Sequence, residues 1–204
     1  MTKASGAKVE AKESRRARTW PARLKTGIKT ERLVVRGLVG ADYQSWRSGY
    51  AGRYPARSTY DRGPVAADRL RRRAFDTVVS RHARLAALDQ VYVLAAFTHG
   101  ASEHIGMFDL ATIRRPDVGW ANVGYMVHNQ HQRRGFGREA LTAVLRFGLD
   151  VLGFHRIEAA IRPDNDAATA LARAAGMEYE GIRRSFWLDE DGWADHAIFV
   201  VIAA

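Results

Sequence analysis

The spacing of hydrophobic and polar positions changes along this chain and divides it into strands and helices. Short apolar segments rich in β-branched and aromatic residues, such as 119–127, are typical of strands. Longer segments whose apolar residues recur every three or four positions, such as 135–152, are typical of helices that pack one face on a core. Because both kinds occur from residue 30 onwards, the pattern predicts an α/β (α+β) fold with a mixed sheet and helices on both faces.

The pattern is specific enough to give approximate bounds. It predicts about seven strands, at 32–37, 90–98, 103–113, 119–127, 155–162, 178–188 and 193–202. It predicts helices at 41–52, 65–88, 135–152 and 165–175, with a loop at 53–63.

Composition is consistent with one folded domain. The chain has 204 residues, 47% of them hydrophobic, which suffices for a sizeable core. It has no cysteine, which excludes disulfides, thiolate catalysis and cysteine-ligated metal sites. We find no apolar run long enough to span a bilayer and no signal-peptide pattern, so we expect a cytoplasmic protein without a membrane partner.

The positive charge is concentrated at the start of the chain. Of the formal net charge of +10, residues 1–29 hold nine Lys/Arg against two Glu, or +7, and residues 30–204 hold the remaining +3. We predict that 1–29 form a flexible basic arm before a folded domain at 30–204. The arm is either a solvated tail or a segment that binds RNA or another anionic partner.

The segment from Val123 to Leu141 carries the strongest chemical signal. An apolar strand is followed by the loop sequence QRRGFG (residues 132–137) and then by an amphipathic helix. The first amides of a helix have no internal partners and lie at the positive end of its dipole, so they bind anions. Two glycines permit close approach to the backbone, and Arg133 and Arg134 add positive charge. The segment therefore predicts a phosphate-binding loop.

Two phosphate motifs compete for this loop. Gly135 to Ala140 satisfies the dinucleotide pattern G-x-G-x-x-A, and Glu158 lies where a ribose-binding acid is expected. However, seven residues, His128 to Arg134, separate the strand from the first glycine, whereas a dinucleotide-binding turn follows its strand almost directly. A Walker loop is excluded because no G-x-x-x-x-G-K-[ST] occurs.

The loop also fits Q/R-x-x-G-x-G/A, and in this the chain resembles the GNAT N-acetyltransferases. Further segments resemble the RimJ/RimL branch, which acetylates the N-termini of ribosomal proteins. These segments are Thr30–Arg36, Ile105-Gly106, His155–Ala159, Arg162–Asn165, Gly176-Met177, Glu180-Gly181 and Asp191–Asp195. Together they span about residues 30–202.

The resemblance implies acetyl-CoA as the acetyl donor, with no metal. It implies that the fourth and fifth strands of the seven splay apart, and that pantetheine pairs with the end of the fourth. A backbone N–H of Met126 or Val127 would polarise the thioester carbonyl, and Asn165 would bond the pantetheine amides or simply cap a helix. The residues expected to bind acetyl-CoA are Tyr125, Met126, Val127, Gln132, Arg133, Arg134, Gly135, Phe136, Gly137, Arg138 and Asn165.

The catalytic residues of the family are not evident in this chain. Relatives carry a glutamate at the position of Ala160, a serine at that of Ala168 and a tyrosine at that of Ala172. Glu158 lies on the same side of its strand as Ala160, about 7 Å away, and we consider it as a water-relayed base. Its alternative role is to pair with an arginine such as Arg156 or Arg162.

Two features of the chain bear on the acceptor. Tyr43, Trp46 and Tyr50 recur at helical spacing and either line an acceptor pocket or pack in the core. A protein α-amine has a pKa near 7.7–8.0 and is substantially neutral at pH 7.5, so a weak base would suffice for it. We therefore expect an α-amine, such as a ribosomal-protein N-terminus. A small-molecule amine, a catalytically silent acetyl-CoA sensor and an RNA- or ribosome-binding module remain alternatives, and either a monomer or a homodimer is compatible with the sequence.

Overall fold

The structure, a computed structural model, describes residues 26–189 and 192–203. Within these, the strands are β1 (Ile28–Lys29), β2 (Leu33–Arg36), β3 (Val91–Thr98), β4 (His104–Arg114), β5 (Trp120–Val127), β6 (Arg156–Ile161), β7 (Glu178–Asp189) and β8 (Gly192–Ile202). The α-helices are α1 (Tyr43–Ala51), α2 (Arg72–Ala87), α3 (Phe136–Arg146) and α4 (Asp166–Ala174). Short 3₁₀ turns occupy Gly40–Asp42, Ala67–Leu70 and Asn129–His131, and a π-helical turn, Phe147–Val151, continues α3.

All eight strands form one sheet in the order β1-β2-β3-β4-β5-β6-β8-β7. Every neighbouring pair is antiparallel except β5 and β6, which are parallel. The predicted mixed sheet is confirmed, and each of the seven predicted strands is present. The additional strand is β1, which lies inside the segment predicted as a flexible arm, so the ordered fold begins before Thr30. Residues 1–25 of the predicted arm lie outside the described part of the chain.

Two predicted helices have different bounds in the structure. The helix predicted from Val65 begins at Arg72, because Arg71 is extended (φ −71°, ψ 151°) and only a 3₁₀ turn precedes it. The helix predicted to continue to Leu152 changes from α to π at Phe147. In that turn, a Cβ on Gly148 would lie 2.5 Å from Cδ1 of Ile157, so the glycine lets the backbone lie close against the sheet. No helix among residues 26–189 and 192–203 is long and apolar enough to cross a membrane.

The two faces of the sheet are covered by different helices. On one face, which we call the α3/α4 face, buried Phe108, Leu141, Val144 and Ile157 belong to the larger core. On the opposite α1/α2 face, Trp46, Phe75 and Phe97 form a second core, against which Met107 packs. Since side chains alternate along a strand, the face of each strand residue follows from these two clusters.

The parallel strands β5 and β6 remain together for only three residue pairs. These are Trp120↔Arg156, Ala121↔Ile157 and Asn122↔Glu158. Beyond them Val123–Val127 of β5 pairs with β4 alone and leaves its other edge open toward β6. This is the predicted splay between the fourth and fifth of the seven predicted strands, and it forms a cleft through the sheet.

Candidate active site

The hydrogen-bond pattern of β5 shows which backbone groups face the cleft. Gly106 is opposite Val127, and the next N–H, that of His128, donates to the carbonyl of Ile105 over 2.9 Å. In an antiparallel ladder the donors alternate between the two edges of a strand. Met126 therefore directs its N–H toward β4, whereas Val127 directs its N–H into the cleft. Of the two residues considered as the oxyanion donor, the geometry favours Val127, because the ladder occupies the N–H of Met126.

The end of β5 is tied to the elements on both sides of it. The hydroxyl of Tyr125 donates to the carbonyl of Ala168 over 2.9 Å and so links β5 to the first turn of α4. The side-chain amide of Gln132 donates to the carbonyl of Val127 over 3.2 Å, which fixes the loop to the strand end. The cleft, the loop and the start of α4 are thus held together as one site.

The loop between β5 and α3 is shaped to receive an anion. Arg133 (φ 57°) and Gly135 (φ 80°) are left-handed, and Gly135 is the N-cap of α3. Residues 132–135 are exposed, whereas Phe136 is buried and anchors the helix start. The first amides of α3 have no partner within the helix and lie at the positive end of its dipole. The residues present therefore fit a pyrophosphate, as the sequence predicts.

Gly137 brings α3 against the end of β5. A Cβ at this position would lie 3.2 Å from Cγ2 of Val127 and 3.2 Å from Cδ2 of Leu171 on α4. A larger side chain would therefore enter the space between the strand end and α4, beside the predicted path of pantetheine. At the start of α4, Oδ1 of Asn165 accepts a hydrogen bond from the N–H of Ala168 over 3.1 Å. Asn165 is thus a helix cap, and its Nδ2 forms no hydrogen bond with any residue in 26–189 or 192–203. Its bond to pantetheine stays a prediction.

Of the three aromatic residues predicted for the acceptor pocket, two lie in the core. The rings of Tyr43 and Trp46 pack against Phe75 with centroids 5.7 and 5.2 Å apart, and the Tyr43 hydroxyl donates to the carbonyl of Leu70. These rings fill the space between α1, α2 and the sheet. Of the two roles considered for them, they therefore pack in the core and do not line a pocket. Tyr50 also packs on Trp46, with ring centroids 5.2 Å apart, but its ring in addition lies 4.8 Å from that of His128 at the end of β5.

A buried chain of polar side chains adjoins Tyr50. Nε of Arg53 donates to Nδ1 of His128 over 2.8 Å, and Nε2 of His128 lies 2.9 Å from Nδ1 of His104. Because Nδ1 of His128 accepts, its Nε2 carries the proton and donates to His104, whose own Nε2 then faces Sδ of Met107 at 3.2 Å. Burial lowers the pKa of both histidines far below the usual value, so both rings are neutral.

Glu158 is buried and paired with two arginines. It is 3% exposed, and its carboxylate lies 2.6 Å from Nε of Arg156 and 2.9 Å from an Nη of Arg183. Arg156 was one of the two partners considered from the sequence, whereas Arg162 instead pairs with Asp189 at 2.7 Å. The geometry favours the pairing role, and a catalytic role for Glu158 stays a prediction.

Asp109 was not identified from the sequence. It lies on β4, two residues after Met107, and so faces α1 and α2. Among the described residues it has neither a hydrogen bond nor an ion pair, and burial raises its pKa. The sequence feature that could have identified Asp109 is its position as a single acid within the apolar strand IGMFDLATI (residues 105–113).

The comparison with protein families agrees with this geometry. Residues 32–178 match the model of the acetyltransferase (GNAT) domain. The chain belongs to the GNAT acetyltransferase family. The interpretation of the glycine loop as a dinucleotide-binding turn is thereby set aside, and the sequence resemblance is confirmed.

Curated relatives of this GNAT chain include several bacterial N-acetyltransferases. It is 30% identical over 114 residues to the probable N-acetyltransferase YjcK of Bacillus subtilis, covering 56% of this chain and 63% of that protein. It is 27% identical over 180 residues to the [ribosomal protein uS5]-alanine N-acetyltransferase of Escherichia coli, covering 85% of this chain and 89% of that protein. The alignments thus span less than two thirds of YjcK and 46% of a second Bacillus subtilis relative, YoaA.

Solved structures show the same fold. A putative ribosomal-protein-serine acetyltransferase from Vibrio cholerae superposes with a TM-score of 0.69 at 20% identity, covering 86% of this chain and 96% of that one. Mycobacterium smegmatis RimJ in complex with CoA-disulfide superposes with a TM-score of 0.68 at 18% identity, covering 84% and 82%. At these identities the likeness concerns the fold.

Proposed function

We propose that this protein transfers the acetyl group of acetyl-CoA to an amine, and that the amine is the α-amine of a protein N-terminus. One observation carries the proposal: Val127, at the end of the splayed edge of β5, lies against Gly137 in the first turn of α3. Pantetheine is extended and carries amides that can pair with a free strand edge, while its pyrophosphate suits a helix N-terminus. The free strand edge and the helix N-terminus are adjacent, as are the pantetheine and pyrophosphate groups of acetyl-CoA.

The backbone of β5 positions the reacting atoms in this proposal. The N–H of Val127 donates to the thioester oxygen as negative charge develops there. The amine nitrogen attacks the thioester carbon from the α1/α2 face, a C–N bond forms, and the C–S bond breaks to release CoA. The nitrogen gives up one proton, and the departing sulfur takes one up. Holding both reactants in line is worth several kcal/mol or more.

Two observations support an α-amine as the acceptor. First, the relative aligned over most of both chains is named a [ribosomal protein uS5]-alanine N-acetyltransferase, so its printed acceptor is a residue of a ribosomal protein. Second, the buried guanidinium of Arg53 lies beside the end of β5 and disfavours a second positive charge nearby. An α-amine is more often neutral at pH 7.5 than a lysine side chain, whose pKa is about 2.5 units higher.

A catalytically silent acetyl-CoA sensor is the second candidate. It is favoured by Ala160, Ala168 and Ala172, which place no acid or base where relatives carry them. An acceptor screen separates the two functions. We expect release of CoA in the presence of peptides with a free N-terminus, and none with the same peptides after N-acetylation, even when they contain lysine. Binding of acetyl-CoA without turnover on any peptide or small amine would instead support the sensor.

A further inference from the structure

Arg53, two residues after the end of α1, is a buried cation. The residue is 5% exposed, its Nε donates to His128, and one Nη group lies 2.7 Å from Sδ of Met126. Its guanidinium also stacks on the ring of Tyr50 at 4.5 Å. These contacts leave it little freedom to swing toward solvent.

None of these contacts supplies a negative charge. Arg53 forms no ion pair with any carboxylate in the described part of the chain, and burial lowers its pKa. Removing a guanidinium from water costs several kcal/mol, and buried charges are normally paired. His128 accepts only through a neutral ring nitrogen, and the thioether of Met126 is a weak acceptor. The carboxylate of Asp61 raises the pKa of Arg53 through space, but it does not outweigh burial and does not contact the guanidinium, so the buried charge lacks a direct anionic partner among the described residues.

The position of Arg53 indicates what its partner is. Met126 shares the α1/α2 face with Met107, its partner across the ladder, and precedes Val127, whose N–H faces the cleft. The guanidinium therefore lies on the side of the sheet from which the amine approaches. Pyrophosphate is expected at the far end of the loop, on the α3 helix, so acetyl-CoA does not supply the missing anion.

We propose that Arg53 binds a carboxylate of the acceptor, carried by an acidic side chain within the first three residues of the peptide. This inference rests on the proposed function. It makes the acceptors a subset of N-termini, those with Asp or Glu near the α-amine. His104 and His128 act as positioning residues, because they fix the Nε edge of the guanidinium and leave an Nη edge for the ligand.

Matched peptides test the proposal. Peptides that differ only by Glu or Gln, placed at position one, two or three, are compared by kcat/KM. We expect the acidic peptide to be preferred by about tenfold at one of these positions, equivalent to ~1.4 kcal/mol for a charge-assisted hydrogen bond. In Arg53→Gln the preference should fall to near unity, while affinity for acetyl-CoA is retained. Arg57→Gln, in the same loop and stacked on Tyr54 at 5.5 Å, serves as the matched control.

The possible outcomes distinguish failure of this inference from failure of the proposed function. Turnover of peptides without any preference for Glu over Gln would overturn the role of Arg53 but would leave the proposed acetyltransferase function in place. Absence of turnover on every peptide would overturn the proposed function itself. If Arg53→Gln does not fold, Arg53→Lys, which keeps the charge but not the paired Nη groups, should retain part of the preference. A phosphoserine peptide preferred over the Glu peptide would contradict the carboxylate assignment.

A second, independent observation concerns the base. Asp109 is opposite Gly124 in the ladder, and a Cβ on Gly124 would lie 2.5 Å from its Oδ1. The carboxylate therefore lies over the backbone of β5, in space that only a glycine leaves open. The last pair between β5 and β6 is Asn122 and Glu158, so Gly124 lies two residues beyond it, where the two strands have separated and the cleft begins. The Asp109 carboxylate extends from β4 across Gly124 toward the cleft.

We infer that Asp109 accepts the proton released by the amine, directly or through one water, and passes it to solvent. Asp109→Asn is nearly isosteric and should lower kcat by about a hundredfold, within the range of general-base effects, with unchanged acetyl-CoA affinity. Gly124→Ala, which displaces the carboxylate without removing it, should also lower kcat and serves as the second variant. Wild-type kcat in a folded Asp109→Asn protein at pH 6.5 would overturn the assignment.

Discussion

Arg32 holds both oxygens of the Glu139 carboxylate. Its backbone N–H donates to Oε1 and its Nε to Oε2, each over 2.7 Å. The hydroxyl of Thr30 donates to the same Oε1 over 2.6 Å. Burial alone would raise the pKa of Glu139, but these hydrogen bonds and the charge of Arg32 outweigh it, and the pKa is lowered. An Nη of Arg32 also donates to the carbonyl of Arg134, so the segment before β2 supports the loop that we predict to bind phosphate.

Replacing Glu139 by Gln should therefore affect both stability and donor binding. Arg32 would lose its ionic partner and the loop its support, and since Arg32 is partly exposed we expect a cost of ~1 kcal/mol. For a domain of this size that corresponds to a drop in Tm of about 2–4 °C. Acetyl-CoA affinity, measured by calorimetry, should weaken. Asp76→Asn, which breaks the exposed Arg72–Asp76 pair on α2, is the control and should change neither quantity.

Gly137→Glu tests the donor site directly. The new side chain would enter the space between Val127 and Leu171 and place a carboxylate beside the pyrophosphate. Acetyl-CoA binds only the folded state and should raise the Tm of the wild-type protein, and this shift should vanish in the variant. Thr77→Glu adds the same charge at an exposed position of α2 and should keep the shift. An undiminished shift in a folded Gly137→Glu protein would contradict the assignment of the loop.

These elements show what local sequence determines. The strand, loop and helix between Val123 and Leu141 are predictable because their periodicity and glycines act over a few residues. The proposed site for pyrophosphate follows from helix geometry, since the first amides of a helix favour anions. The start of α2 is not predictable in this way, because the extended Arg71 does not alter the helical spacing of the apolar positions around it.

The α1/α2 face of the site depends on contacts that a sequence pattern does not contain. Arg53 and His128 are 75 positions apart, and their hydrogen bond follows from how α1 packs on the sheet. Asp109 lies over Gly124 because of the register between β4 and β5. An amphipathic stripe such as Tyr43, Trp46 and Tyr50 specifies a buried side of a helix, but not whether that side meets a core or a pocket.

The basic arm can be tested by removing residues 1–25. The truncated chain keeps β1 and the segment that supports Glu139, so we expect Tm and acetyl-CoA affinity to be unchanged. Any loss should be confined to association with an anionic macromolecule, and it should fade as salt rises. Unfolding of the truncated protein would show that the arm contributes to the fold.

Glu158→Gln distinguishes the two roles considered for this residue. Both carboxylate oxygens contact arginine, so removing the charge leaves Arg156 and Arg183 without this partner in a buried site. We expect the Tm to fall by several degrees, because breaking a buried pair is destabilising, while kcat stays within about threefold of wild type. A loss of tenfold or more in kcat with an unchanged Tm would instead support Glu158 as a base. Comparison with Asp109→Asn ranks the two carboxylates in one assay.

The neutral pair His104 and His128 makes stability depend on pH in a defined direction. Burial lowers the pKa of His104 from 6.5 to about 3, and burial together with His104 and Arg53 lowers that of His128 further. Below pH 6.5 the unfolded chain therefore binds protons that the folded chain does not, and the free energy of unfolding falls as pH falls. Each such histidine contributes up to ~1.4 kcal/mol per pH unit well below 6.5. His82 and His131, whose pKa values burial also lowers, act in the same direction.

Urea unfolding between pH 5 and 7.5 measures this dependence before most carboxylates titrate. The free energy of unfolding should be nearly constant above pH 7 and decline below 6.5. His104→Gln keeps an amide that can accept from His128, and we expect it to show a shallower decline although it is less stable at pH 7. His155→Gln, at an exposed position, should retain the wild-type slope. If the wild-type protein showed no decline between pH 6.5 and 5, the histidines would titrate normally in the folded state. The hydrogen-bond chain from Arg53 through His128 to His104 would then be wrong, because that chain requires both rings to be neutral.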